Sequence, residues 1–463
     1  MEESLPWHGF PRRIADWFRS ANYNASQFVP VAFGVLILLG TLLLMTPFAT
    51  TGQSIGFIDA LFTMTSAVTV TGLVVHDTSK DFTVFGQLVI LTGIQVGGLG
   101  YSAMATLLLL SLGRSIGMRQ RMMMMEVLST LSMEGLVRYV KMIAVVTLVI
   151  EAAGAILLTA RFAFDMDFGR ALYFGIFHAV SAFNVAGFTL NSENLVRYRG
   201  DVLINLTVSS LVVLGAIGFL VFRDILDNLH GARFRFSTHT KLVLVVTGCL
   251  ILGGTAGIWG FEIQNNQTLG TLPLGEQILV AYFHSVSATA GFNTLDMSLM
   301  SQPSLYLLIL LMIVGGSPGS TAGGIKTTTL GIIVSSLWST LKGRADVMMF
   351  HRRIPHEIVM KSFTLAAMAW GLVTGFTMVL SYSENQEFLR ILFEVASAAG
   401  TAGYSTGNGG VLSLSALFSD FGKLMIVGTM FIGRFGPLLL GLFAVRTHEE
   451  LRYRYAEARV VIG

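Results

Sequence analysis

The chain has 463 residues, of which 53% are apolar and only 12% charged, with a formal net charge of +3. Charge this sparse, gathered into short islands between long apolar stretches, excludes an ordinary soluble domain and describes a polytopic membrane protein. The single cysteine, Cys249, lies inside the apolar run KLVLVVTGCLIL, so no intrachain disulfide can form.

The first residues, MEESLPWHGFPRRIADWFRS, lack a compact apolar core followed by a small-residue cleavage site, so 1–27 reads as a retained cytosolic segment. Eight apolar segments follow, at 28–47, 82–112, 139–160, 202–222, 241–260, 304–340, 357–382 and 418–446. Each is long enough to cross a hydrocarbon core of ~30 Å at 1.5 Å per residue. Between the members of each successive pair stands a shorter amphipathic stretch: FIDALFTMTSAVTVTGL, GRALYFGIFHAVSAFNVAGF, GEQILVAYFHSVSATAGF and NQEFLRILFEVASAAGTAGY. A half-length helix that ends in irregular backbone at membrane depth is tolerated only where it lines a watery cavity or is buried in protein. The four stretches therefore read as re-entrant loops facing a common axis.

Spacing supports the repeat. Counting back six residues from Gly72, Gly187, Gly291 and Gly403 gives Ser66, Ser181, Ser285 and Ser397. One offset recurring between four pairs of spans is internal repetition, not the general abundance of small residues in packed membrane helices. The expected fold is an all-α polytopic membrane protein: four helix–re-entrant pore loop–helix repeats, eight transmembrane helices, in pseudo-fourfold arrangement around a central pore. Repeat one occupies 28–113, and repeat two with its preceding cytosolic loop 114–230. Repeat three occupies 231–342 with an intramembrane loop at 315–324, repeat four 343–446, and a cytosolic tail 447–463.

Basic residues set the orientation. Arg114, Arg119, Arg121, Arg138 and Lys141, then Arg223, Arg233, Arg235 and Lys241, then Lys342, Arg344, Arg352, Arg353 and Lys361 fall on one side. The other side carries acids, Glu262, Glu276 and Glu384 among them. The positive-inside rule puts both termini in the cytosol and brings the re-entrant loops in from outside, where acids raise the local cation concentration.

The turns themselves are Thr69-Val70-Thr71-Gly72, Asn184-Val185-Ala186-Gly187, Ala288-Thr289-Ala290-Gly291 and Gly400-Thr401-Ala402-Gly403. None has an acidic side chain, which argues against a carboxylate ring for divalent cations. Main-chain carbonyls replace the water of a weakly hydrated monovalent cation, and glycine permits the close approach that such a ring needs. The half-helices would aim their partially negative C-terminal ends at the axis, again favouring a cation.

The stretch GGSPGSTAGGIKTTT, 315–329, interrupts an apolar span. It is not a phosphate-binding loop, because Ile325 separates Gly324 from Lys326 and no strand precedes it. Gly315, Gly316, Ser317, Gly319, Ser320, Thr321, Gly323 and Gly324 cannot hold a lipid-facing helix, since each interior glycine costs ~1 kcal/mol relative to alanine. Beneath the turns, such a run is a mobile loop in the inner cavity; the plainer reading is a helix kinked and packed through its glycines. Lys326 and Arg434 are the basic residues placed in the interior of the spans, where charge defaults to function. Arg434 would repel a cation or hold loop carbonyls; the structural alternative is an ion pair with Glu151 or Glu394.

GGLGYSA at 97–103 echoes a dinucleotide turn but lies in a span with no strand, so it reads as close helix packing. His178 and His284 read as hydrogen-bonded braces, not metal ligands. The run RMMMMEV at 121–127 makes a soft apolar surface for the membrane interface or a partner. No nucleophile–base set and no metal motif appears, so an enzyme is not expected.

The repeats SAVTVTGL, SAFNVAGF, SVSATAGF and SAAGTAGY, with GGSPGSTAGGIKTTT and FIGRFGPLLL at 431–440, resemble those of the Ktr/Trk/HKT superfamily of potassium transporters, and the eight-span layout is closest to the bacterial Ktr membrane subunit. The resemblance spans nearly the whole chain. It implies four linked repeats imitating a tetrameric potassium channel, with the sixteen turn residues as the K⁺ filter and 315–324 with Lys326 and Arg434 as the gate. It also implies a homodimer in a bacterial plasma membrane, docked on a cytosolic Rossmann-type regulatory ring (KtrA-like) that binds ATP, ADP or NAD(H). No cofactor is expected on this chain beyond the transported K⁺ and an activating Na⁺. In one respect the chain departs from the family, which commonly has an extra residue, often arginine, before the third Thr-Ala-Gly-Phe. An ion-coupled transporter, moving Na⁺ or H⁺ with K⁺, is the alternative reading.

Overall fold

The computed structural model describes residues 25–52, 54–100, 136–229, 235–344, 346–407 and 411–444, and most of these are helical. The methionine run 121–127, the tail 447–463 and most of the amino-terminal segment lie outside the described residues.

One pattern recurs four times along the chain. It begins with α1 (Ala25–Leu44), the short α2 (Phe57–Val68) and α3 (Val84–Leu99). It recurs as α4 (Leu136–Phe162), α5 (Phe168–Phe183) and α6 (Val202–Ala216), the last continued by α7 (Phe219–Leu229). The third unit is α8 (Thr238–Glu262), α9 (Leu274–Ser287), α10 (Gln302–Ile313) and α11 (Thr327–Leu341). The fourth is α12 (His356–Ser383), α13 (Phe388–Gly400) and α14 (Asp420–Ala444). A two-stranded hairpin, β1 (Met348–Met349) on β2 (Arg352–Arg353), joins α11 to α12 and is the exception to an otherwise helical fold among the described residues.

Length and burial separate two helix types. Among the described residues, Arg138–Phe162, Thr238–Glu262 and His356–Ser383 are each long and apolar enough to cross a bilayer alone. The outer faces of the last two bear exposed Leu244, Val245, Leu252, Met360, Trp370 and Met378. Bare apolar surface of this extent suits acyl chains and not water. By contrast α2, α5, α9 and α13 have 12, 16, 14 and 13 residues. At 1.5 Å per residue they reach about 18–24 Å, short of a full crossing. Their hydroxyl-bearing ends are buried: Thr65, Ser66, Ser181, Ser287 and Ser397 all lie inside. Such helices are sheathed by the longer ones: α2, α5 and α13 each pack between the first and last long helix of their own repeat, whereas α9 packs on α8 of its own repeat and on α6 of the repeat before.

Two of the eight apolar segments are broken, the first where a single span is expected and the second at the glycine-rich stretch expected to interrupt it. The 202–222 segment bends by 92° between α6 and α7, where Gly218 has φ +94. The 304–340 segment ends its first helix at Ile313 and resumes only at Thr327, the intervening residues being held by a parallel bridge between Val314 and Ile325. In both places glycine releases the helical ladder and neighbouring backbone takes up the freed groups.

The outer acids also need correction. Glu262 is fully buried and accepts from Ser301 N (2.8 Å), Ser301 Oγ (2.6 Å), Asn265 Nδ2 (2.8 Å) and Thr268 Oγ1 (2.5 Å). Glu384 likewise accepts from Ser419 N (3.0 Å) and Ser419 Oγ (2.6 Å). Each ties the end of its repeat's first long helix to the start of the last. These two carboxylates are spent on holding the fold together.

Candidate functional site

The four glycine turns meet in a closed ring. A Cβ added at Gly72 would strike Ala186 O, one at Gly187 would strike Ala290 O, one at Gly291 would strike Ala402 O, and one at Gly403 would strike Thr71 O. Each glycine thus abuts the carbonyl that precedes the next glycine, and the fourth returns to the first. All four have positive φ (+91, +70, +75 and +84), the region that side chains disfavour. The sixteen turn residues expected to act together are therefore brought together.

Local sequence explains the turns. In repeats one, two and four the residue before glycine reaches back to the repeated serine's carbonyl: Thr71 N to Ser66 O (2.8 Å), Ala186 N to Ser181 O (2.8 Å) and Ala402 N to Ser397 O (2.9 Å). The residue one earlier adopts positive φ, namely Val70 (53), Val185 (61) and Thr401 (49). The third turn differs. There Ala290 N and Gly291 N both donate to Ser287 O (2.8 and 2.9 Å), and Thr289 is not among the positive-φ residues. Ser285 instead turns its hydroxyl to Ile251 O (2.8 Å). The third turn, where the resemblance implied a residue that this chain lacks, is thus the one whose backbone departs from the other three.

On one side of the ring is a small cup lined by the four glycines with Thr78, Thr189, Asn194, Asn293, Ser405 and Ser413. Its polar lining is neutral, so oxygen dipoles and not carboxylates face whatever sits there.

The segment 314–326 lies against the turns from the other side. Ser317 N donates to Ala216 O (2.8 Å), Thr321 N to Gly215 O (3.2 Å) and Gly323 N to Thr401 Oγ1 (3.0 Å). The Thr321 hydroxyl points to Phe183 O (3.2 Å), and Phe219 N donates to Gly319 O (2.9 Å). Ser317 and Thr327 share a hydroxyl bond of 2.8 Å, closing the segment's base. It is a folded loop and not a kinked helix. Gly315, Gly316, Ser317, Gly319, Ser320, Thr321, Gly323 and Gly324 all belong to it.

Arg434 of α14 donates to Thr321 O and to Gly97 O, the latter at 2.8 Å, linking loop, α3 and α14. Lys326 Nζ caps Ala322 O (2.7 Å) and Gly323 O (3.2 Å). Neither forms an ion pair among the described residues, so the alternative pairing with Glu151 or Glu394 is not what the structure contains. Those two acids have other tasks. Glu151 accepts from Asn184 Nδ2 (2.9 Å) and Gln95 Nε2 (3.2 Å), bracing turn two from behind. Glu394 accepts from Ser415 N (3.0 Å), Ser415 Oγ (2.5 Å) and Ser405 Oγ (2.5 Å), fixing the chain just past turn four.

The two histidines are braces. His178 bonds Phe174 O (2.8 Å) and Thr189 Oγ1 (2.9 Å). His284 bonds Val280 O (2.9 Å) and stacks on Tyr404 of repeat four, ring centroids 5.9 Å apart. Sequence reasoning missed Tyr404, Arg390 and Lys423. Arg390 holds Thr406 O (3.0 Å) and Gly407 O (2.5 Å) beyond turn four, and Lys423 pairs with Asp59 at 2.7 Å. Gly97 packs its Cα against Val68 O, so the GGLG run serves close helix contact as expected.

Glu394 permits a stability prediction. Glu394→Ala strands three donors, two on fully buried Ser415 and one on half-buried Ser405, at about 1 kcal/mol each. The variant should lose about 3 kcal/mol of stability, read as an earlier thermal aggregation midpoint in detergent, and Glu394→Gln should recover part of it.

The TrkH family model, described as cation transport protein, matches residues 10–453. The chain belongs to the TrkH family of cation transport proteins. It is 38% identical over 455 residues to the Ktr system potassium uptake protein B of Bacillus subtilis, covering 97% of this chain and 99% of that one. The Ktr system potassium uptake protein B of Vibrio alginolyticus is 36% identical over 431 residues, 93% of each chain. The potassium/sodium uptake protein NtpJ of Enterococcus hirae is 36% identical over 445 residues, 94% of this chain and 97% of that one. The crystal structure of the potassium transporter TrkH from Vibrio parahaemolyticus superposes with a TM-score of 0.67 at 19% identity, covering 94% of this chain and 89% of that one. The TrkH fold is therefore the fold of this chain, a mostly helical polytopic membrane transporter architecture.

Proposed function

We propose that this chain conducts K⁺ into the cell through the axis of its four glycine turns. The turns Thr69–Gly72, Asn184–Gly187, Ala288–Gly291 and Gly400–Gly403 act as the filter. The loop 315–324, with Lys326 and Arg434, acts as the gate. The observation that carries the reading is the closed ring, in which every glycine rests on the next turn's carbonyl. Such a ring gathers four backbone oxygens from four turns, and carbonyl oxygens in a ring are what strips water from a monovalent cation. The names of the Bacillus and Vibrio relatives, both potassium uptake proteins, support the choice of ion.

The driving force is electrical. A membrane potential supplies ~2.3 kcal/mol per charge per 100 mV, enough to accumulate K⁺ without a pump. The chain sits in the bacterial plasma membrane with both termini cytosolic. It works as a homodimer on a cytosolic Rossmann-type ring that carries the nucleotide site, in keeping with relatives named as parts of a Ktr system. It is not an enzyme.

The test is flux. Purified chain in proteoliposomes, before and after deletion of residues 317–323, is given K⁺ or Na⁺ as the sole permeant cation. K⁺ flux that exceeds Na⁺ flux and rises on deletion supports both filter and gate. Equal flux of both cations defeats the filter, and unchanged K⁺ flux defeats the gate. An ion-coupled second reading draws on the Enterococcus relative, named a potassium/sodium uptake protein. It predicts that an imposed Na⁺ gradient alone drives K⁺ accumulation at zero membrane potential, whereas a uniport predicts none.

A further inference from the structure

The space behind turn two is filled by a polar set: Asn184 of the turn, Gln95 of α3 and Glu151 of α4, all hydrogen-bonded to one another. The corresponding positions behind turn three are apolar. Ala288 stands three residues before its glycine as Asn184 does, and Val213 stands at the same distance from its helix cap Asp201 as Gln95 does from Thr83. Ile251 precedes Gly254 as Glu151 precedes Gly154, both glycines being pressed by a neighbouring side chain. Three smaller or apolar residues in place of a hydrogen-bonded set leave a void.

That void is present. A cavity of about 50 Å³ is lined by Val213, Ile251 and Ala288, together with Thr289 of turn three and Gly315 and Gly316 of the loop. It is well above the ~10–15 Å³ that one water needs, but a buried water also needs two to four polar partners. The hydroxyls on its wall are engaged elsewhere: Ser285 on Ile251 O (2.8 Å), Thr289 on Val286 O (3.2 Å) and Thr327 on Ser317 (2.8 Å). Thr247 adds a single hydroxyl with no bond among the described residues. The rest of the wall is mostly carbon, so the fitting occupant is a hydrocarbon.

Its source is set by what lies outside. The cavity is partly open, and the lining residues of α8, Thr247, Leu250 and Ile251, alternate with exposed Leu244, Val245 and Leu252 on the bare apolar face. Helices α6 and α8 both pack on α9. We infer that the end of a membrane lipid's acyl chain enters between α6 and α8 and fills this cavity, bracing turn three and the base of the loop from behind as the Asn184–Gln95–Glu151 set braces turn two. The site stands on geometry alone; only its effect on conduction rests on the proposed filter and gate.

The test uses the full chain in vesicles of phosphatidylcholine carrying a photoactivatable group at the acyl terminus, with mapping by peptide mass spectrometry. Label is expected on 212–216 and 247–251 of the wild type. Filling the cavity by Ile251→Phe, and separately by Val213→Phe, should lower that label about fivefold while leaving label on the exposed face at Leu252 unchanged. Absence of label on 212–216, or label indifferent to both fillings, means ordinary surface lipid and overturns the site. K⁺ flux recorded on the same vesicles keeps the two readings apart. Displaced label with unaltered flux leaves the lipid site standing and removes its effect on conduction. Label in a chain that passes no cation sinks the transport reading and not the lipid site.

Discussion

Gly187→Ala should lower K⁺ uptake about 100-fold, the equivalent of ~3 kcal/mol. Two effects combine at this position. Alanine at φ +70 is in the left-handed region, at about 1–2 kcal/mol. Its methyl would also land on Ala290 O of turn three, a backbone atom that yields only if the turn moves. Because every glycine leans on the next turn, the displacement spreads around the ring. Gly72→Ala and Gly403→Ala should act alike, on Ala186 O and Thr71 O. Growth of an uptake-deficient bacterium on limiting K⁺, with membrane abundance of the variant checked by immunoblot, provides the measurement. Wild-type growth from Gly187→Ala would show that the ring does not lie on the conduction path.

Arg434→Ala should act in the opposite sense and raise basal K⁺ flux about tenfold. The guanidinium holds Thr321 O of the loop and Gly97 O of α3 at once. Hydrogen bonds from charged donors contribute about 1.5–3 kcal/mol each, and 1.4 kcal/mol shifts a closed-to-open ratio tenfold. The remaining tethers to neighbouring elements, among them Ser317 on Ala216, Thr321 on Gly215 and Gly323 on Thr401, are neutral and about 1 kcal/mol each. Arg434→Lys keeps the charge but cannot span both carbonyls in a fork, so it should fall between. Rb⁺ influx into proteoliposomes of the two variants distinguishes these outcomes. If Arg434→Ala instead reduces influx while the protein remains folded, the arginine supports conduction and does not hold the loop closed.

Much of the site was legible in the sequence because it is periodic. The serine–glycine offset and the half-length stretches recur four times at fixed places, and with the single glycine-rich interruption they correspond to real elements: α2, α5, α9 and α13, the four turns, and the loop. The partners that hold them were not legible. Glu394 meets Ser415 21 residues on, Glu151 meets Asn184 33 residues on, and Arg434 meets Gly97 337 residues back. No local pattern marks such pairs. Glu262 and Glu384 read as mouth acids because charge at the end of an apolar run ordinarily meets water, and burial cannot be seen in a string. One signal was available. In repeats three and four a glutamate closes the first long helix and a serine opens the last, Glu262 with Ser301 and Glu384 with Ser419. Aligning the repeats on these residues, and not on the turn glycines alone, would have paired them. The odd third turn was legible as a missing residue. Its consequence, Thr289 without the positive φ of Val70, Val185 and Thr401, needed coordinates.

The central claim, a cation held on the axis of the glycine ring, is tested most directly by crystals grown with Tl⁺ or Rb⁺ in place of K⁺. Anomalous scattering should place the ion between Gly72, Gly187, Gly291 and Gly403, with its peak lost when Na⁺ is exchanged in. An axis empty of scatterer at the ring, with the ion found instead beside Glu151 or Glu394, would contradict the account and move the cation site from backbone oxygens to carboxylates.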